Sequence, residues 1–218
     1  MCGRNSLYVN DKKLRERYNA SMNQSWNKNY NISPGNAQPT VTKNSPKSID
    51  IKTWSLVPGF VDESEESKWK SKSLINARVE TVHDKGMFKK AFRENKCLIP
   101  STGFYEWKEE GKTSKTPYHI KPEGKQVFSF AGFYHDRTFI ILTKDSENSK
   151  IQDIHDRTPV ILSREEEEDY LDGELSRKAL EEKVIEGIEV EQVSRKVNDP
   201  SNNSPEVLEL ESRQTRLG

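Results

Sequence analysis

Cys2 owes its chemical interest to its position as much as to its type. It sits in Met1-Cys2-Gly3-Arg4, and removal of Met1 ahead of a small side chain leaves an N-terminal cysteine. Such a residue carries an amine and a thiol on neighbouring carbons. That pair condenses with an aldehyde to a Schiff base and then closes to a five-membered thiazolidine, which an internal cysteine cannot do. The α-amino group titrates near ~8 against ~10.4 for a lysine, so far more of it is a free nucleophile at neutral pH. The alternative is a processed or buried cysteine without a role, and these four residues alone leave both readings open.

Elements that could position such a nucleophile are readable along the chain. Its 218 residues suffice for one substantial domain, although only 32% are hydrophobic and another 32% are charged, which requires a compact core under a very polar surface. Apolar runs at 51–57, 97–100, 118–121, 127–133 and 138–143, separated by Gly, Pro, Asn and Ser, predict short strands. Helical spacing of Leu14 with Tyr18, and of Phe88 with Ala91 and Phe92, predicts two short helices. Ser163 followed by Glu166 is a capping box that opens an acidic helix carrying Tyr170 and Leu171; a further helix over 176–184 and a strand over 189–194 follow. The expected fold is therefore α+β, a β-rich single domain of curved, barrel-like mixed sheets with several short flanking helices. It spans 1–200, and the Asn/Ser/Pro composition beyond it predicts a mobile C-terminal tail over 201–218.

Charge narrows the partners. Net charge is zero, but residues 1–160 carry +8 and residues 161–218 carry −8. A basic body fits a polyanion, because Lys and Arg contacts to phosphate dominate nucleic-acid affinity; a solvated mixed-charge surface explains the same count. No apolar run approaches the roughly 20 residues of a membrane span, and no secretion signal is visible, so a cytoplasmic protein is expected. Cys2 and Cys97 are read as free thiols, Cys97 as a small buried hydrophobe. His83, His119 and His135 lack ligand spacing, so neither a metal nor a cofactor is expected.

Seven segments occur in an order that resembles the SOS-response-associated peptidase (SRAP) family through most of residues 1–200. They are MCGR at 1–4, NISPG at 31–35, WSLVP at 54–58, NARVET at 76–81, CLIP at 97–100, GFYEW at 103–107 and IHDR at 154–157. The resemblance implies abasic-site processing on single-stranded DNA, by a protein that is a monomer and associates with the nucleoid when bound. Carried over by motif, it implies Cys2 as nucleophile with Asn76, Glu106 and His155 as its catalytic partners. It also places Arg4, Pro34, Trp54, Arg78, Trp107, Thr143 and Arg157 along the DNA, the arginines on phosphates, the tryptophans stacked on bases, Pro34 and Thr143 as pocket walls. Internal salt bridges for the arginines and core positions for the tryptophans are the alternatives.

The residue types suit those roles. Glu106 stands among Phe104, Tyr105 and Trp107, where desolvation would raise a carboxyl toward working pH and make it an acid/base for opening the closed hemiacetal of an abasic sugar. The His155 imidazole, near ~6.5 in water, can hold the proton shed by the amine, and the Asn76 amide can orient the amine or a sugar hydroxyl. As alternatives Glu106 would be a surface strand residue, His155 a structural partner of Asp156, and Asn76 a turn cap. Asn5, Ser55 and Thr158 depart from the family pattern and bear on the surroundings of the pocket. Cysteine cross-linking to the lost-base aldehyde, with self-removal of Met1, is thus the leading expectation. The other classes are an N-terminal-nucleophile glutamine amidotransferase, which also opens with MCG, and a noncovalent single-strand binder.

Overall fold

Apolar runs between turn formers become strands because their alternating side chains find cover on both sides. A computed structural model of the protein describes residues 2–55, 64, 74–111, 113–147, 149–184 and 187–210. Its elements are β1 (Asn5–Leu7), α1 (Asp11–Tyr18), β2 (Ser21–Met22), β3 (Asn29–Ile32), β4 (Ala37–Thr42), β5 (Ser45–Trp54), β6 (Asn76–Arg78), α2 (Gly86–Glu94), β7 (Lys96–Ser101), β8 (Gly103–Glu110), β9 (Ser114–Pro122), β10 (Phe128–His135), β11 (Thr138–Asp145), β12 (Arg157–Pro159), β13 (Ile161–Leu162), α3 (Glu166–Asp172), α4 (Arg177–Glu182) and β14 (Ile188–Gln192). Short 3-10 turns follow at Arg195–Asn198 and Pro205–Leu208.

Among the described residues the strands form two sheets, a smaller one in the order β14-β9-β8-β1-β3 and a larger one in the order β12-β11-β10-β7-β4-β5-β2, with β13 on β10 and β6 on β11. β5 is paired along its length with β4, and its end makes a short parallel pairing with β11, Thr53 beside Thr138 and Trp54 beside Phe139. The path β11-β10-β7-β4-β5 thereby returns to its start. This is the barrel-like, β-rich α+β architecture expected from the sequence. Phe104 of β8 meets Phe130 of β10 edge-on at 5.9 Å and joins the two sheets. β10 and β11 are buried on both faces for nearly their whole length, which requires a second cover. α2 supplies part of it, with Phe88 and Phe92 against Phe133 at 5.6 and 5.9 Å, and α3 adds Tyr170, whose hydroxyl donates to the Gly132 carbonyl at 2.7 Å. Each such aromatic contributes about 1.5–3 kcal/mol through burial. Gly132 is required at this crowded point, since a Cβ would stand 2.4 Å from the Ile140 carbonyl oxygen and from Ile99 Cδ1.

Some boundaries differ from the sequence reading, each for a physical reason. β5 begins at Ser45 and not at Ile51, because pairing with β4 orders its polar first half. Residues 56–58 lie outside the described residues, as do Met1 and Trp69. β4 holds Pro39 in its middle, which reads as a strand breaker; there β4 is laddered only to β5, and its pairing with β7 is confined to Val41 and Thr42. Glu166 accepts the Ser163 N–H at 2.8 Å, so the return half of the capping box forms as read. The start of the expected mobile tail is instead packed on the body. Val207 is buried with Tyr105, Val193 and Val197, Asn203 Oδ1 accepts the Tyr30 N–H at 2.8 Å, and Asn31 donates to the Asp199 and Asn202 carbonyls. Asparagines that read as loop formers are hydrogen-bond partners here; residues 211–218 lie outside the described residues. Among the described residues no helix is long and apolar enough to cross a membrane.

Candidate active site

Three parts of the fold converge on Cys2. β1 runs antiparallel to β8, and the Tyr105 N–H donates to the Arg4 carbonyl at 2.9 Å, extending that pairing toward residue 2. Glu106 follows Tyr105 on β8 and adds to the rise in the Cys2 thiol pKa, while the thiol itself donates to the Arg4 carbonyl at 3.8 Å. β6 lies parallel to β11, which presents Asn76 so that its Nδ2 donates to the Cys2 carbonyl at 2.6 Å. The connection between β11 and β12 supplies His155, whose Nε2 stands 3.9 Å from Glu106 Oε2. Cys2, Asn76, Glu106 and His155, far apart in sequence, are thus neighbours in space.

Burial sets the protonation of this group. Cys2 is fully buried and Glu106 is 3% exposed. Desolvation, reinforced by Glu106, pushes the Cys2 thiol far above its ordinary range. Burial likewise raises the Glu106 carboxyl to about 8, with Asp156 adding to the rise. His155 is half-buried, and loss of water lowers its pKa below the usual imidazole value. At neutral pH the site therefore holds a neutral thiol, a neutral carboxylic acid and a neutral imidazole, two proton donors beside one acceptor. Glu106 Oε1, Asn76 Oδ1, Arg4 Nε and Arg157 Nε are among the six buried side-chain polar atoms without a hydrogen-bond partner among the described residues. Such atoms cost about 1–3 kcal/mol each. Their concentration on these residues marks a place built for something other than stability.

The residues expected along the DNA divide. Arg78 is exposed, and Pro34 and Trp107 are half-buried, so all three remain accessible. Trp107 is fixed by donation from Nε1 to Asn198 Oδ1 at 2.7 Å and by the Arg4 guanidinium 5.7 Å from its ring centre. Arg4 is tied inward, its Nη1 donating to Asn31 Oδ1 at 2.7 Å and to the Val197 carbonyl at 2.6 Å. Three expectations are corrected. Trp54 does not present its ring to a base: it is fully buried, stacked on Phe139, with Nε1 donating to the Ile75 carbonyl at 2.9 Å. Thr143 is fully buried, and its carbonyl accepts from Val79 N–H and Arg157, so it lies beneath the site instead of walling it. Arg157 is engaged by Glu80 through two bonds of 2.7 and 2.9 Å, which pins the NARVE strand to the IHDR turn instead of leaving a clamp for phosphate.

Sequence reasoning gave no role to Asn31, Glu80 or Asn198, which hold Arg4, Arg157 and Trp107 in place. Asn31 and Glu80 stand inside quoted segments, which was their only signal; Asn198 reads as a loop residue. Among the described residues no group of three or more His, Cys, Asp and Glu side chains is placed to hold a metal ion.

The family model for the SOS response associated peptidase (SRAP) matches residues 1–200. The chain belongs to the SRAP family. Abasic site processing protein YoqW of Bacillus subtilis (strain 168) is 33% identical over 228 residues, covering 96% of this chain and 99% of that protein. Abasic site processing protein YoaM of the same organism is 30% identical over 230 residues, with 97% and 99% covered. A crystal structure of a protein from Bacteroides thetaiotaomicron shares the fold at a TM-score of 0.83 and 26% identity, covering 97% of this chain and all of that one. The four clustered residues of this SRAP chain all fall within the matched span.

Proposed function

We propose that this SRAP chain acts at abasic sites in single-stranded DNA and that Cys2, freed by removal of Met1, captures the C1′ aldehyde as a thiazolidine. The observation that supports the reading is a buried, partly unpaired Glu106 that bears electrostatically on Cys2, with His155 beside it and Asn76 bonded to the Cys2 carbonyl. The substrate class is supported by the names of YoqW and YoaM, both abasic site processing proteins matched over nearly their whole length.

The chemistry follows from the protonation states. Glu106, a neutral acid below about pH 8, protonates the ring oxygen as the hemiacetal opens and is left as a carboxylate. The Cys2 amine adds to C1′; neutral His155 takes the proton that nitrogen sheds and returns it to the departing hydroxyl, so one water leaves and a C=N bond forms. Burial keeps Cys2 a thiol and not a standing thiolate, so its proton must depart as sulfur attacks. The Glu106 carboxylate beside it is the base in reach, so the thiol proton restores Glu106 as an acid while the iminium nitrogen keeps the hydrogen it already carries. The C–S bond converts C=N to a single bond and removes the iminium that would ease loss of the 3′ phosphate. Asn76 holds the Cys2 carbonyl, leaving Oδ1 as an acceptor for the amine or a sugar hydroxyl. Arg78 offers a phosphate contact and Trp107 a stacking surface worth about 1–3 kcal/mol per base. The same Cys2, Glu106 and His155 also serve to remove Met1.

Incubation with single-stranded DNA carrying one abasic site, with intact mass measured for the protein, tests this. The expected product is a heat-stable adduct that is lost in Cys2→Ala, on a chain lacking Met1. Glutaminase activity without adduct would favour the amidotransferase class. Salt-sensitive binding that leaves no adduct would reduce the protein to a noncovalent binder.

A further inference from the structure

A cavity of about 400 Å³ opens between α1, the turn from β9 to β10, the link from β13 to α3 and the residues that follow α4. It is separate from the candidate active site. Its wall on β9 is Pro122, four residues beyond Tyr118, which pairs with Glu106; that is about 13 Å along a strand. Val127, Phe128, Ile161 and Leu162 give the cavity an apolar floor. Val184 borders it and is one of two large apolar side chains left exposed among the described residues. Five cations and one carboxylate, Glu123, also line it.

Two of those cations are already matched, Arg17 by Glu167 and Lys183 by Glu166. Lys13, Lys125 and Arg164 have no side-chain hydrogen bond or ion pair among the described residues, although Lys125 and Arg164 act at longer range on the exposed Glu165. Lys13 also stands one turn before Arg17 on α1, a like-charged spacing that weakens a helix. Unmatched cations around an apolar floor suit a ligand that carries carboxylates beside an apolar group. A nucleic-acid strand does not suit it: the acidic run 165–169 starts directly after Arg164 and repels a polyanion that continues past the cavity. Three cations from three different elements call for several spaced carboxylates, which a peptide supplies and a single small acid does not.

We propose that this cavity receives a short acidic peptide segment of a partner protein, with an apolar side chain on the Phe128 and Ile161 floor and carboxylates against Lys13, Lys125 and Arg164. The site is independent of the chemistry at Cys2.

Fluorescence anisotropy of the full chain with a labelled peptide DDDLF, ending in a free carboxylate, tests this. Saturable binding is expected, at least about tenfold tighter than that of DDDSG, which keeps the charge without the apolar end, or of KKKLF, which reverses the charge. Lys125→Glu combined with Arg164→Glu should weaken DDDLF binding about tenfold, and Val184→Asp should weaken it as well. All three positions are exposed, so both proteins should keep the wild-type melting temperature and the wild-type rate of adduct formation. No saturation by about 1 mM peptide overturns the proposal. Equal binding of DDDSG overturns it too, by reducing the site to charge attraction, as does displacement of DDDLF by a single-stranded oligothymidylate or wild-type affinity in the double variant. Absence of adduct from the wild type would count against the proposed function and leave the peptide result intact.

Discussion

Glu106 and Glu167 are almost equally removed from water, at 3% and 7% exposure, yet they live in opposite surroundings. Glu167 receives Arg17 through two bonds of 3.0 and 2.6 Å and the Ser129 hydroxyl at 2.5 Å, so each carboxylate oxygen is satisfied. Among the described residues Glu106 leaves Oε1 without a hydrogen-bond partner, and the ionisable side chain beside it is His155, with Nε2 at 3.9 Å. Burial with a matched cation makes a brace between α1, β10 and α3. Burial without one makes a carboxyl that holds its proton to about pH 8. The same residue type is thus a strut in one place and an acid in the other, and the difference lies wholly in the neighbours.

The most severe break in this contrast is Arg17→Ala, which strands a buried carboxylate and should cost about 3–5 kcal/mol in urea unfolding. A loss below about 1 kcal/mol would mean that Glu167 is not braced as described. Glu106→Gln should act in the opposite sense. It should slow adduct formation about a hundredfold, and at pH 9 it should stabilise the fold by on the order of 3 kcal/mol, because no carboxylate then has to be buried. An unchanged adduct rate would remove Glu106 from the chemistry.

The pH dependence sharpens the same point. The folded pKa of Glu106, about 8, lies above the ordinary 4.5, so between those values the native state binds more protons than the unfolded one. Its contribution to stability is full below pH 4.5, falls as pH rises, and is gone above about pH 8; the Gln variant should lack this slope. Adduct formation should decline through the same upper limb as the acid form is lost. The smallest expected effect separates two arginines. Arg78→Ala should weaken binding to single-stranded DNA and lower the salt slope by about one without altering stability. Arg157→Ala should instead lower the melting temperature by releasing Glu80. Equal behaviour of the two variants would undo their division into an accessible residue and a brace.

Much of the fold was legible because β-branched and aromatic runs between turn formers state their own period, and β7, β9, β10 and β11 lie where those runs do. β4 was hidden by Pro39, since tolerance of a proline depends on whether a neighbouring strand needs its missing N–H. The packed segment 201–208 was hidden because asparagine signals a turn locally and a hydrogen-bond partner only once Asn31 and Tyr30 are beside it. Trp54 and Trp107 were given the same role from sequence; closure of β5 onto β11 buries the first, while the second stays half-exposed at the rim.

The sequence by itself determined the candidate nucleophile and its company: a cysteine at position 2 and a set of ordered segments that place the chain in the SRAP family. Those properties are carried by covalent connectivity and residue type, which need no fold to be read. Only the tertiary structure decided that Cys2 rests as a thiol and Glu106 as an acid, that Arg157 holds Glu80, and that His155 stands beside Glu106 with the Arg157 N–H on its other ring nitrogen. Proton affinity and accessibility depend on how much water is excluded and on which charges stand within a few ångströms, and folding sets both by joining residues distant along the chain.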